Sequence, residues 1–397
     1  MAPATLPKDS GTLAAPLAAD DLRERILASL RDQGFKLNER GLLGPVPGND
    51  KDLIRKLHSV AKSAAIERSR KGLERHEDRL IKFFANGSEI DPTHIKPVLR
   101  EVTPDSEEEL LFRYARLHWS IPVSAGYGRR LRFVVLDESN GKLMGLFGLG
   151  DPVFAIGPRD RWIGWNREMQ RERLRHVMDA FVVGAVPPYS RLLVGKLIAM
   201  LLISDEVRHA FKKKYAMSGS LITERSFDGK LALVTTTSAL GRSSVYNRVR
   251  FEGKSVLESV GYTLGSGEFH FANGLYADIQ RYAKEHLEPT AKHERWGEGW
   301  RSRREVVRQT LRHLELNPDI LYHGVKREVF VAPVAANTQK FLRGDHCSLR
   351  YTRRPAKMLF DAFRERWLLP RASRDSSYLS NHREELRLWP PRGEHND

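Results

Sequence analysis

Polar and apolar positions alternate in several registers along this chain, and the register changes mark its elements. Residues 178–186 (MDAFVVGAV) form an apolar, Val- and Phe-rich run that reads as a buried strand. A Pro-Pro-Tyr-Ser turn follows. A helix then opens near Ser190, in which only Gly195 and Lys196 between Leu192 and Ile203 are neither bulky and apolar nor Ala. A helix that is apolar on every side belongs inside a domain, and this one is too short to span a membrane. Upstream, LRFVVLDE and LMGLFGLG flank Ser139-Asn140-Gly141-Lys142, an Asn-Gly hairpin signal. Downstream, GSLITER (219–225) and LALVTTTS read as strands around the turn Asp228-Gly229-Lys230, and SVGYTLGSGEFHF as another strand. KREVFVAP (326–333) reads as a later strand. Helical spacing is found over 21–35, over 50 to about 85 with Asp50 as cap, and over 107–119. It returns over 275–287, 303–316 and 355–367, and a short helix after residue 241 takes Ser244 as its cap.

This pattern predicts an α/β (α+β) protein with a central mixed sheet, flanked by an N-terminal helical region and a basic C-terminal helical region. The expected divisions are a disordered leader over 1–20, a basic helical domain over 21–94, an α/β core over 95–271, and a Trp/Arg-rich region over 272–397. The leader has no basic segment followed by an apolar core, so a signal peptide is not expected.

Charge changes the picture. The 397 residues carry a formal net charge of +16, which points to a polyanionic partner such as nucleic acid. From residue 291 onward, 22 Lys and Arg stand against 14 Asp and Glu, so half of the excess lies there. In that region Trp296 and Trp367 are interleaved with Arg303, Arg304 and Arg371, a pairing suited to base stacking with phosphate contact, or equally to packing of the helices on a core. The one cysteine, Cys347, excludes an internal disulfide and suits a reducing cytoplasm.

Lys196 carries the sharpest chemical expectation. An amine inside a buried helix is costly unless it is paired or reaches a polyanion, and it lies in the first turns, where the helix dipole favours anions. Arg191 and Lys196 are therefore expected to hold a phosphate. The alternative is a Lys paired with Asp179. Arg129, Arg130, Arg242 and Arg248 are further candidate phosphate contacts. Asp137, Asp151 and Asp179 would bind Mg²⁺ for strand cleavage if they converge. Tyr246, Asp179 and His176 would serve a tyrosine-nucleophile reaction on DNA if they meet beside an arginine. Surface or core roles are the plain alternatives for each.

The runs FRYARLHWSIPVSAGYGRRLRFVVLDESNGKLMGLFGLGDPVF, MDAFVVGAVPPYSRLLVGKLIAM, VTTTSALGRSSVYNRVRF and FVAPVAANTQKFLRGD resemble the DruA family of the Druantia anti-phage defence system. With the N-terminal helices they cover nearly the whole chain. The resemblance implies a role in defence against phage, partners that include a large helicase-like protein, and relatives associated with mobile elements. A fainter resemblance is to the fold of the GNAT acyltransferases. It rests on a hairpin, a strand running into a buried helix, and a late strand followed by a helix bearing Tyr246. Their pyrophosphate loop, Q/R-x-x-G-x-G/A, is altered here to Arg191-Leu-Leu-Val-Gly195-Lys196. The topology is therefore expected, while coenzyme A and acetyl transfer are not. Three functional readings result: a nucleic-acid-binding defence component working with a helicase-like partner, an enzyme cleaving or rejoining strands, and an acyltransferase.

Overall fold

The computed structural model describes residues 17–44, 46, 50–123, 128–216, 227–272, 274–289 and 300–390, the side chains of 300 and 301 excepted. The expected strand over 219–225, Trp296 and most of the expected leader lie outside them.

The chain divides into two compact units, and not at the boundaries its composition suggests. One unit takes Met1–Gly44 with Gly267–His323, the other Pro45–Ser266 with Gly324–Asp397. The reason is strand pairing. The apolar run Glu328–Pro333 is claimed by the central sheet, so the expected C-terminal region is split.

The smaller unit packs helices α1 (Ala19–Asp32), α8 (Leu275–His286) and α9 (Trp300–His313). Leu22, Ile26 and Leu30 recur at helical spacing on α1 and are fully buried, as are Ile279, Tyr282 and Ala283 on α8.

The larger unit is built on a seven-stranded mixed sheet. Its strands are β1 (Pro97–Glu101), β2 (Arg130–Asp137), β3 (Lys142–Gly150), β4 (Val177–Ala185), β5 (Leu233–Thr237), β6 (Glu258–Tyr262) and β7 (Glu328–Pro333). They are ordered β1-β2-β3-β4-β5-β7-β6. All neighbours are antiparallel except β4 and β5. The Asn-Gly hairpin forms with Asp137 opposite Lys142, and Gly141 takes φ +72° in its turn. Alternation along β2 decides what covers each face. Leu131, Phe133 and Val135 join one core, whereas Val134 and Leu136 join another on the opposite face.

The first core takes the apolar helix α6 (Val194–Leu201), α7 (Asp205–Tyr215) and α11 (Ala356–Phe363). The second takes α3 (Glu107–Ala115) and the end of α2 (Lys51–Leu73). Beyond β4, the helices α4 (Gly157–Ile163) and α10 (Thr338–Arg343) cover Val177, Leu233 and Val331, with α5 (Arg167–Arg173) packed against α10. Asp50 caps α2 as expected, accepting from the Leu53 N–H at 2.8 Å. α2 stops at Leu73, short of the expected 85, and continues as short helical turns. The helix expected from Ser190 starts as a 3₁₀ turn over Tyr189–Leu192 and becomes α-helical only after Leu193, which sits at φ +62°.

Candidate functional site

Where β4 and β5 part company, a cleft opens. Their parallel ladder runs from Val177–Leu233 to Asp179–Thr235 and stops there, although β4 continues to Ala185. A cleft of about 320 Å³ follows, floored by Val183–Ala185 and the start of α6, with the segment Ser238–Tyr246 as its lip. Lys51, Lys196 and Arg242 line it together with four serines, and none of its lining residues is acidic.

Lys196 reaches this cleft from a buried base. The residue is only 8% exposed. Its backbone N–H bonds the Leu193 carbonyl at 2.9 Å, but among the described residues its ammonium has no hydrogen bond and no ion pair. Its ammonium sits 5.2 Å from the centre of the Trp367 ring, and Arg366 stands 4.9 Å from the same ring. Burial holds the Lys196 pKa below the usual lysine range, and Arg248 and Arg366 push it further the same way. Asp179 is not its partner.

The lip is held from behind by a residue that sequence reading passed over. Glu328, 4% exposed, opens β7. Its carboxylate accepts from the Ser243 N–H at 2.9 Å, from Asn247 Nδ2 at 3.1 Å and from Ser259 Oγ at 2.8 Å. Its backbone bonds Ser238 and Gly241. A glutamate beginning an apolar run gives no hint of this in sequence. The expected helix at the lip is a single 3₁₀ turn, Tyr246–Arg248. Its N-cap position is Val245, not Ser244, and Ser243 Oγ accepts from the Tyr246 N–H at 3.0 Å.

Of the other sequence candidates the structure brings Arg242 and Tyr246 to the cleft, and not Asp179 or His176. Tyr246 does line it, but among the described residues its hydroxyl has only the Val183 carbonyl, at 3.5 Å, and burial pushes its pKa up to about 12. Asp179 lies four residues before Val183 on β4, roughly 13 Å along the strand, and His176 about 23 Å. Asp179 accepts from Thr235 Oγ1 at 2.8 Å, and burial raises its pKa to about 6. His176 is a core histidine between Phe227 and Phe341, bonded through Nδ1 to the Lys230 carbonyl, and burial lowers its pKa to about 4. The tyrosine-nucleophile constellation is therefore not assembled.

The carboxylates do not converge either. Asp137 accepts from the Lys96 and Ser139 N–H groups and from Tyr189 Oη, bracing the hairpin turn. Asp151 lies at the other end of the hairpin, about 24 Å away along β2, paired with Arg129 at 2.6 Å. Among the described residues no group of three potential metal ligands occurs.

The basic candidates part into two kinds. Arg242 and Arg248 are exposed at or beside the cleft. Arg129 is consumed internally, and Arg130 begins β2 with its carbonyl accepting from Tyr215 Oη. Arg191 does not share a site with Lys196. It bonds Asn381 Oδ1 at 3.2 Å, and its carbonyl accepts from Arg371, which pairs with Asp375. In the smaller unit Arg303 lies 4.0 Å from the Tyr276 ring centre and Arg304 5.5 Å from that of Tyr322. There, tyrosine faces arginine where the sequence suggested tryptophan.

The structure thus defines a mixed α/β protein with a basic, carboxylate-free cleft at the parting of two parallel strands. The family model described as Druantia protein DruA matches residues 48–344. A Druantia protein DruA from Escherichia coli (strain UMEA 4076-1) is 40% identical over 376 residues, covering 94% of this chain and 90% of that protein. The chain belongs to the DruA family. No solved structure matches it. Among the described residues no helix is long and apolar enough to cross a membrane.

Proposed function

We propose that this component of Druantia anti-phage defence binds single-stranded nucleic acid in the β4–β5 cleft, with the Lys196 ammonium on a phosphate. One observation carries the reading: a lysine nine-tenths buried opens into a cleft without a carboxylate to neutralise it. A charge recessed from water with no carboxylate beside it is held at a cost, and an entering phosphate relieves that cost with a charge-assisted hydrogen bond. Arg242, Arg248 and Arg366 add attraction at the rim. The recess favours a single strand. A backbone phosphate on a stiff duplex stays at the rim, whereas an unpaired nucleotide can be turned into a cleft of this size.

Binding is favoured over strand cleavage because Asp179 and His176 lie roughly 13 Å and 23 Å along the strand from Val183, the residue whose carbonyl Tyr246 contacts. The element order, with a hairpin, a strand entering the buried α6 and a late strand leading to Tyr246, supports the GNAT-like topology. Lys196 and the left-handed Leu193 in place of the small residues of a pyrophosphate loop speak against coenzyme A. In this reading the protein acts in the cytoplasm and passes bound strands to a helicase-like partner.

A salt titration of binding to labelled single-stranded DNA, duplex DNA and RNA, with Mg²⁺ present and products run on a denaturing gel, tests it. The expected result is intact strands, preference for single strands, and affinity falling steeply with salt. Lys196→Ala should weaken single-strand binding at least tenfold. Equal affinity for the variant, or shortened strands, would overturn the proposal.

A further inference from the structure

A second basic cleft lies along the same helix that supplies Lys51. About 230 Å³ in volume, it is formed between the middle of α2 and the turn after α3, with Lys62, Arg68, Ser69 and Arg116 in its lining and no acidic residue there. Arg116 is half-buried and has no ion pair among the described residues. Burial depresses its pKa, and the guanidinium groups of Arg113, Arg132 and Arg130 depress it further. Like Lys196, it is a recessed cation in a field of its own sign, an arrangement that an entering anion stabilises.

Helix geometry relates the two clefts. Lys51 and Lys62 are eleven residues apart on the continuous helix Lys51–Leu73. Eleven steps of about 100° bring the second side chain to within roughly 20° of the first, so both clefts open along one side of α2. Eleven rises of about 1.5 Å separate the two positions by about 17 Å. Stacked nucleotides advance about 3.4 Å each, so this distance corresponds to about five of them, and to fewer if the strand is stretched.

We propose that the two clefts are successive phosphate contacts on one nucleic-acid strand, with α2 as the spacer between them. The proposal rests on the reading of the Lys196 cleft given above and adds a footprint to it. A strand too short to reach from Lys51 to Lys62 uses one cleft, and a longer one uses both. The second contact should then appear as a step in affinity with length.

The experiment is fluorescence anisotropy with labelled oligothymidylates of two to ten nucleotides, on the full chain and three variants: Lys62→Gln/Arg68→Gln, Arg116→Gln and Lys196→Ala. Lys62 is half-buried and Arg68 exposed, and a thermal melt checks that the double variant keeps its fold. For the wild type, affinity should rise at least tenfold between about four and seven nucleotides. The double variant should bind the short strands unchanged, lose most of that rise, and show a salt slope for long strands reduced by about 0.7 per lost contact. Arg116→Gln should do the same. An unchanged length step in the double variant and in Arg116→Gln would overturn the two-contact track while leaving the first cleft intact. Unchanged short-strand binding in Lys196→Ala would instead remove the first cleft, and the track with it.

Discussion

Arg129 and Lys196 are both cations set into the larger unit, yet they are spent in opposite ways. Arg129 donates to Asp151 at 2.6 Å and to the Arg175 carbonyl at 2.6 Å. Its guanidinium also lies within 6 Å or so of the Phe211, Tyr215 and Phe227 rings. Gly128 takes φ +70° beside it, where any Cβ would meet the Asp151 carboxylate at 2.0 Å. Every part of that charge is answered by the protein. Lys196 touches one aromatic ring and looks into a cleft with further cations at its rim. The difference teaches that net charge alone does not locate a binding site. On the proposed reading, what locates it is a recessed cation that the fold leaves unanswered.

Replacing each cation with methionine sets the comparison its hardest test. Arg129→Met strands Asp151 and two carbonyls, and should cost roughly 3 kcal/mol of stability, read as a lower urea midpoint, with strand affinity per folded molecule unchanged. Lys196→Met should do the reverse. It removes a recessed amine that has no carboxylate partner and keeps the apolar stem, so stability should hold or rise by up to about 1 kcal/mol while single-strand binding falls. Loss of stability in both variants would mean that Lys196 is a structural residue after all.

Acid should act at the answered end. His176 packs on the same Phe227 ring as Arg129, and its pKa of about 4 lies below the unfolded value near 6.5. The unfolded chain therefore takes up the proton first. Stability is intact above pH 6.5 and falls as pH drops toward 4, by roughly 2 kcal/mol at pH 5 for this one group. His58, also lowered to about 4, adds to the fall. Asp179, raised to about 6, opposes it, because protonation relieves the cost of its buried charge. The net expectation is a decline of about 2 kcal/mol between pH 7 and 5 in urea unfolding. His176→Gln should flatten that slope, and an unaltered slope would remove the assignment.

The two ends also differ in how far sequence could reveal them. The Asn140-Gly141 hairpin, the Val-rich β4 and the largely apolar α6 are local patterns, and the first two formed where their residues predicted, while α6 began about a turn later than Ser190. Lys196 stood out because a charge inside an apolar helix breaks the pattern. The answers to charge are long-range and left no trace. Nothing near Arg129 announces Asp151, nothing in KREVFVAP shows that Glu328 will anchor the lip, and Arg191 looked like a companion of Lys196 until Asn381, far along the chain, claimed it. β7 itself was legible as a strand but not as a member of the central sheet, since pairing with β5 joins residues almost a hundred positions apart. Lys51 and Arg116 were visible only as members of the expected helices over 50 to about 85 and over 107–119.

The finest test concerns Tyr246, which shares the cleft with Lys196 but has an environment closer to that of Arg129. Its ring meets Phe330 edge-on with centroids 5.3 Å apart, and its hydroxyl makes one long bond to the Val183 carbonyl. With its pKa pushed up to about 12, the hydroxyl stays protonated at neutral pH and is a poor nucleophile there. Tyr246→Phe keeps the ring and removes only that bond, so stability should change by less than about 0.5 kcal/mol, and strand affinity by less than twofold. Tyr246→Ala should cost about 3 kcal/mol by emptying the space beside Phe330. A phenylalanine variant that binds normally but loses defence against phage in cells would reverse this assignment, because packing is preserved and only the hydroxyl is gone. The tyrosine would then be a reacting group, and the unanswered lysine beside it part of a catalytic site.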